Sequence, residues 1–434
     1  MKKGIGVYAA IALALLFAAL LLAGPARAEE KPQAPPQVQG ELPPLDLDRL
    51  IEIALQENPE LQALRHQIQA DRDQVPQART LPDPMLAIMF DDVLHPDRGI
   101  GAEARQMIPW PGKLRLMSQA AALDADRTVT DYTEKAYEVV AQVKQAYYEL
   151  YFLDKSIEIA LANKSVLADF VKIAEVKYAV GAGIQQDVLR AQVAQSRILD
   201  DLLMLRQQQI SARARLNALL NRPPEAPLGS AATLVRHKMT LPEGSLQEIA
   251  LERRAMLKGM RLMVGEAETM RALAQRDLKP DYEVRLGLSP SDEMGRGPAV
   301  TGMVMFTLPL YHRTKQDKAI EQRGAEVSAA QSSFEAQKTM VFAMIRDMVA
   351  MLDKNDRQAD LLRGGIIPQA ELALESARAA YQVNKADFLT LLDDQMSLYD
   401  NLRDYYRAVT DYEKGAAELE QAVGSPLAAT EVQR

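Results

Sequence analysis

The chain has 434 residues, 48% hydrophobic and 25% charged, with a net charge of −8 and no cysteine. Without cysteine there are no disulfides, no thiolate metal sites and no lipid attachment at an N-terminal cysteine. Both charge signs are interspersed and no basic stripe exists to neutralise phosphates, which excludes nucleic acid as a partner.

In chain order, Lys2 and Lys3 precede an apolar run from Val7 to Leu22, followed by small residues at Ala26 and Ala28. This pattern predicts an export signal over 1–28, with cleavage after Ala28; the run is short for a membrane span. A Pro-rich linker over 29–44 follows. Aromatics make up 5% of the chain, with a single Trp, whereas Ala, Leu, Gln, Glu, Arg, Lys and Met fill long stretches. That composition favours long helices.

The periodic part starts at Leu45. "LDRLIEIALQENPELQALRHQIQADRDQVPQA" carries apolar residues at helical spacing and predicts one helix. Two short strand patterns follow, "PMLAIMFDDV" and "GAEARQMI", joined by the loop "LHPDRGIG". From Lys113 to about Ala179 no proline occurs, so a helix of roughly 100 Å is predicted, which must pack lengthwise against neighbours. At "KYAVGAGIQQDVLRAQ" the helix turns, to return from Ile184 to Asn221.

The same plan is then written again. "LQEIALERRAMLKGMRLMVGEAETMRALAQ" repeats the opening helix, "YEVRLGLS" and "VTGMVMFTL" repeat the strands, and "AYQVNKADFLTLLDDQ" repeats the turnaround. Val300, Gly302, Val304, Phe306 and Leu308 share one strand face. The second long helix, Arg313 to Tyr381, should kink or break at "GGIIP", Gly364 to Pro368. A final helix returns from Lys385 to Val423. Ile53 matches Ile249, Pro82 matches Pro280, Pro109 matches Pro309 and Tyr178 matches Tyr381, in one order along the chain. An internal duplication follows, with a first repeat over 45–228, a second over 229–424 and a tail over 425–434.

Strands of about 8–10 residues suit a tilted membrane β-strand. Four of them cannot close a barrel, and lipid forbids unpaired edges, so several chains must pool their strands.

At this point the chain resembles the TolC-like outer-membrane efflux ducts of Gram-negative bacteria. "YAVGAGIQQDVLRAQ" is similar to that family's first hairpin tip. "ALESARAAYQVNKADFLTLLDDQMSLYDNLRDYYRAVTDYEKGAAELEQAVG" is similar to its second tip and C-terminal helix. The resemblance covers Leu45 to about Gly424. It implies a mainly α fold with a small membrane β-barrel contribution, assembled as a homotrimeric α/β-barrel duct with six tips around one aperture. It also implies outer-membrane lipid around the strands, a periplasmic adaptor at the tips and an inner-membrane efflux pump beyond. The function implied is a passive exit duct of a tripartite system; "IPWPGK" resembles metal-associated members and leans toward heavy-metal ions. A soluble periplasmic coiled-coil scaffold and a protein-secretion channel stay open as alternatives.

Gly181 and Gly183 are expected to supply left-handed backbone at the first tip, with Asn384 standing where the family usually has Gly at the second. Asp393, Asp394 and Asp187 are the aperture gate candidates, because a lumen-facing carboxylate becomes a ring of three charges in a trimer. Asp393 falls on a family carboxylate position, while Thr390 holds the other. Val180, Gly181, Ala182, Gly183, Val383, Asn384 and Lys385 are the candidate adaptor contacts. Trp110 is the candidate interface anchor, and Pro109 and Pro309 the strand–helix junctions. Met340, Met344, Met348 and Met351, and Met256, Met260, Met263 and Met270, form stripes that suit either core packing or a soft metal. His66, His95, His237 and His312 are scattered, and no HExxH, GxSxG or phosphate-binding glycine loop occurs. No catalysis, cofactor or resident metal is expected.

Overall fold

The computed structural model describes residues 43–90, 100–231, 234, 237–239, 242–289, 298–427 and 429–431. The expected signal peptide, nearly all of the linker, most of both hairpin loops with His95, and the last tail residues lie outside the described residues.

The opening segment is two helices, not the single one expected: α1, Leu47–Glu57, and α2, Pro59–Arg79. Asn58 causes the break. Its side-chain oxygen accepts from the amides of Glu60 (2.9 Å) and Leu61 (3.3 Å), and Pro59 fills the first helical position, where a missing N–H costs nothing. Strands β1, Met85–Phe90, and β2, Ile100–Ile108, follow. Helix α3, Lys113–Ala179, then runs unbroken for 67 residues, roughly 100 Å at the α-helical rise. Helix α4, Gln185–Leu219, returns beside it.

The second half opens with a short strand β3, His237–Met239, then α5, Glu243–Arg253, and α6, Ala255–Arg276. Their break at Arg254 has nearly the same backbone as the one at Asn58, with ψ of 119° and 122°. No Asn–Pro signal marks it. Arg254 is buried there, its guanidinium donating to the Ala422 carbonyl at 3.2 Å and facing Glu134 at 3.5 Å. Strands β4, Tyr282–Ser289, and β5, Ala299–Phe306, lead to α7, Gln316–Leu361. The expected interruption is a π-helical turn, Leu362–Ile366, and the helix resumes as α8, Ile367–Gln382. The wider turn accommodates Pro368, which cannot donate to a residue one turn back. Helix α9, Phe388–Val423, and strand β6, Ala429–Glu431, complete the chain. The antiparallel pairing of β3 with β6 was not anticipated.

Helices α2, α3, α6 and α7 pack together next to the sheet, while α3, α4, α8 and α9 pack toward the hairpin tips. The tip-proximal core contains Leu153, Leu167, Phe170, Ile198, Leu202, Phe388 and Tyr399. A second core joins α1 and α2 to the middle of α3 through Leu50, Leu61, Val143 and Leu150. A third joins α5, α6, α7 and α9 through Leu246, Leu257, Ile345 and Leu419, and there Met256 and Met348 are packing residues.

Candidate functional site

The four long strands form one antiparallel sheet in the order β1-β2-β4-β5. The ladders pair Leu86 with Ala104, Ala104 with Leu286, and Leu286 with Gly302. Because side chains alternate along a strand, these ladders sort the sheet into two faces. One carries Leu86, Ile88, Ile108, Val284, Leu286, Leu288, Val300, Val304 and Phe306. The other carries Glu103, Arg105, Glu283 and Arg285, where Arg105 pairs with Glu103 and Arg285 with Glu283. The apolar face is bare within one chain: Leu86 is 73% and Val300 78% exposed. Apolar on one side and charged on the other is the pattern of a wall between lipid and a water-filled lumen. β1 and β5 are its unpaired edges.

The wall is fixed to the helices at one corner. After β2 the chain passes Pro109, Trp110 and Pro111, and Gly112 takes a left-handed φ of 94° before α3 begins. The Trp110 amide donates to Asp281 Oδ1 at 2.7 Å, and Lys113 Nζ reaches Asp281 Oδ2 and Asp277 Oδ1, both at 2.8 Å. Lys113 is buried and its charge is matched by two carboxylates. Asp281 thereby ties the start of β4 to the corner after β2. Trp110 is half-buried at this corner, and Pro109 and Pro309 follow the ends of β2 and β5. The Lys113–Asp281 tie went unrecognised in the sequence, although Pro280-Asp281 stood out as a repeat of Pro82-Asp83.

At the other end of α3 the two tips are built alike. Gly181 (φ 72°) and Asn384 (φ 58°) occupy the same left-handed position. The Gly181 amide donates to the Tyr178 carbonyl and the Ala182 amide to that of Lys177; the Asn384 amide donates to Tyr381 and the Lys385 amide to Ala380. Both are Schellman motifs, which satisfy the last carbonyls of a helix. Gly183, contrary to expectation, does not adopt left-handed backbone. It is small for another reason, since a Cβ there would lie 3.0 Å from Lys177 Cβ. Val180, Gly181, Ala182, Val383, Asn384 and Lys385 are exposed, and Gly183 is half-buried.

Lys177, absent from the sequence-based candidates, links the tips. Its ammonium donates to the Tyr381 carbonyl and to Asn384 Oδ1 (2.7 Å) and sits 4.0 Å from the Tyr381 ring centroid. Asn384 therefore both tolerates the turn and accepts this bond. Asp187 is half-buried nearby. Burial pushes its carboxyl above the ordinary range, Arg190 opposes the rise, and Asp387 adds to it. Asp387 caps α9 through Thr390, whose hydroxyl and amide donate to it at 2.6 and 2.9 Å; these bonds hold its carboxyl below the usual range. Asp393 is exposed and lines a groove between α4 and α9 with Arg190, Arg197 and Leu389. Asp394, the next residue, is half-buried. Arg190 is common to the settings of Asp187 and Asp393.

Comparison with known proteins agrees with this anatomy. Residues 50–222 match the model of the outer membrane efflux protein family. The chain is 23% identical over 353 residues to the cobalt-zinc-cadmium resistance protein CzcC of Cupriavidus metallidurans, covering 81% of this chain and 83% of that protein. Its fold is similar to that of the outer membrane protein VceC of Vibrio cholerae, with a TM-score of 0.74 and 19% identity over 87% of this chain and 96% of that one. It is also similar to the open state of the MtrE outer membrane channel of Neisseria gonorrhoeae, with a TM-score of 0.72 and 19% identity over 88% and 89% of the two chains.

Proposed function

We propose that the chain is one of the TolC-like outer-membrane efflux channels and forms the homotrimeric exit duct of a tripartite system for heavy-metal ions. The observation that carries the proposal is the two-faced sheet with two free edges, placed at one end of a helix roughly 100 Å long. Three copies close the edges and give a twelve-stranded barrel, from four strands per chain. Outer-membrane lipid covers the apolar face, and Trp110 lies at its inner boundary.

The paired helices extend inward, and the tips at Val180–Gly183 and Val383–Lys385 meet a periplasmic adaptor. Exposed, mostly small side chains there allow close helix approach. Energy comes from an inner-membrane pump, since the duct itself offers only a wall and a lumen. Asp187, Asp393 and Asp394 line the route near the aperture, and the Lys177 tie between the tips must loosen for it to widen. The metal class is supported by the likeness to a protein named for cobalt, zinc and cadmium resistance.

The test is fractionation of expressing Gram-negative cells, then native mass determination after detergent extraction. A detergent-requiring trimer in the outer-membrane fraction is expected. A periplasmic species soluble without detergent refutes the barrel and favours the coiled-coil scaffold. For substrate, complementation of a duct-deleted strain should restore growth on cobalt, zinc or cadmium; restoration of drug tolerance alone refutes the metal assignment.

A further inference from the structure

The charged face of the sheet has a second character. Its large apolar residues are all methionine: Met85 and Met89 on β1, Met107 on β2, Met303 and Met305 on β5. The opposite face uses Leu, Ile, Val, Phe and Tyr and has no methionine among the described residues. If these residues merely filled apolar space, the lipid-side face would share them. Instead the thioethers share a face with Glu103, Arg105, Glu283 and Arg285, and within one chain Met85, Met89, Met303 and Met305 are uncovered. The four lie on the two free edge strands.

The internal repeat fixes how those edges meet. β1 corresponds to β4 with an offset of 198, and β2 to β5 with an offset of 200, as Pro82 to Pro280 and Pro109 to Pro309 require. The ladders obey the same offsets: the Ile88–Ala102 pair becomes Leu286–Gly302, which is the pair observed. The β2–β4 junction inside the chain is therefore the template for β5 meeting β1 of the next copy. Glu103 opposite Gly287 becomes Met303 opposite Met89, and Ala104 opposite Leu286 becomes Val304 opposite Ile88. Arg105 opposite Arg285 becomes Met305 opposite Ala87, with Met85 and Met89 diagonal to it.

We propose that each seam between copies builds a thioether site for a soft monovalent cation, Cu(I) or Ag(I), from Met303 and Met305 of one copy and Met85 and Met89 of the next. Directly opposed side chains have Cβ atoms about 4.5–5.5 Å apart and diagonal ones about 7–8 Å, both within reach of flexible methionine. Ala87 is small and leaves Met305 free to lean toward either neighbour. Thioethers are soft ligands without a proton to lose, so they suit these ions and hold them across a wide pH range. The adjacent Arg105 and Arg285 are neutralised by Glu103 and Glu283. The site is incomplete in one chain, and the proposal rests on the trimeric-duct reading.

Two measurements on the detergent-extracted protein separate that reading from the site. The natural lack of cysteine permits disulfide trapping of V304C/I88C, whose positions lie on opposite edges of one sheet and can be joined only between copies. Mild oxidation should give a covalent trimer, and V304C/L86C, shifted by two residues, should not. If no trimer is extracted, the duct reading itself fails. If trimers cross-link in the shifted pair instead, the register and the site fail while the duct stands. With the register in place, Ag(I) binding is titrated against wild type, M89L/M303L and a matched M256L/M348L control at two packed helix positions. The seam variant should lose one Ag(I) per seam at both pH 7 and pH 5, with the control unchanged. Undiminished Ag(I) binding in M89L/M303L, or a loss that appears only at one pH, overturns the site.

Discussion

Removing Asp281 should damage the protein far more than removing the lysine it binds. The Lys113 side chain is only 8% exposed, whereas those of Asp277 and Asp281 are 52% and 28% exposed. In Asp281→Ala, Lys113 stays buried with one of its two carboxylates gone, and the Trp110 amide loses its acceptor. Loss of a charge-assisted bond and an unpaired donor together predict a cost of about 3 kcal/mol, moderated by the remaining Asp277. In Lys113→Met, both carboxylates keep access to water and an apolar chain fills the space, so the cost should be about 1 kcal/mol or less. The double variant should recover about 2 kcal/mol relative to Asp281→Ala alone. The assay is urea unfolding of the extracted protein followed by fluorescence, since the single tryptophan is Trp110 at this junction. Equal losses in the two single variants, or additivity in the double, would refute the buried-cation reasoning. The junction also has a pH signature. Burial pushes Lys113 down, but the hydrogen bonds and charges of Asp277 and Asp281 outweigh it and leave its pKa raised. That contribution is complete below the ordinary lysine value of 10.5 and is lost as pH climbs through the raised one.

Three further outcomes are expected. Gly181→Ala should destabilise the first tip by about 1 kcal/mol because φ is 72° there, while Asn384→Gly should leave the second turn intact; amide exchange at the two tips distinguishes them, and equal protection loss contradicts the Schellman assignment. Lys177→Met should raise single-channel conductance in planar bilayers by freeing the second tip, as should Asp393→Asn if its carboxylate helps set the aperture; unchanged currents in both remove these residues from the gate. Asp187 carries a raised pKa, so its folded setting favours the protonated form: tip stability should fall as pH rises from about the ordinary value of 3.8 through the raised one, and Asp187→Asn should abolish that slope in pH-dependent amide exchange.

Much of this protein is written in its sequence. The proline-free α3, the strand alternation at Val300 to Phe306 and the turn chemistry at Gly181 and Asn384 are all local, because each depends on residue type and spacing along one segment. Tertiary structure decided what joins those segments. The break at Arg254 copies the one at Asn58 without its Asn–Pro signal, because a buried guanidinium between Glu134 and Ala422 holds it in place. Lys177 and Lys113 are ordinary helix residues in sequence; only the approach of Tyr381 and Asn384 to one, and of Asp281 to the other, gives them partners more than 160 positions away. The same holds for the methionines of the wall. Their alternation is visible within each strand, but the common face emerges only when the ladders set β1, β2 and β5 in register, since a one-residue slip would send every side chain to the other side.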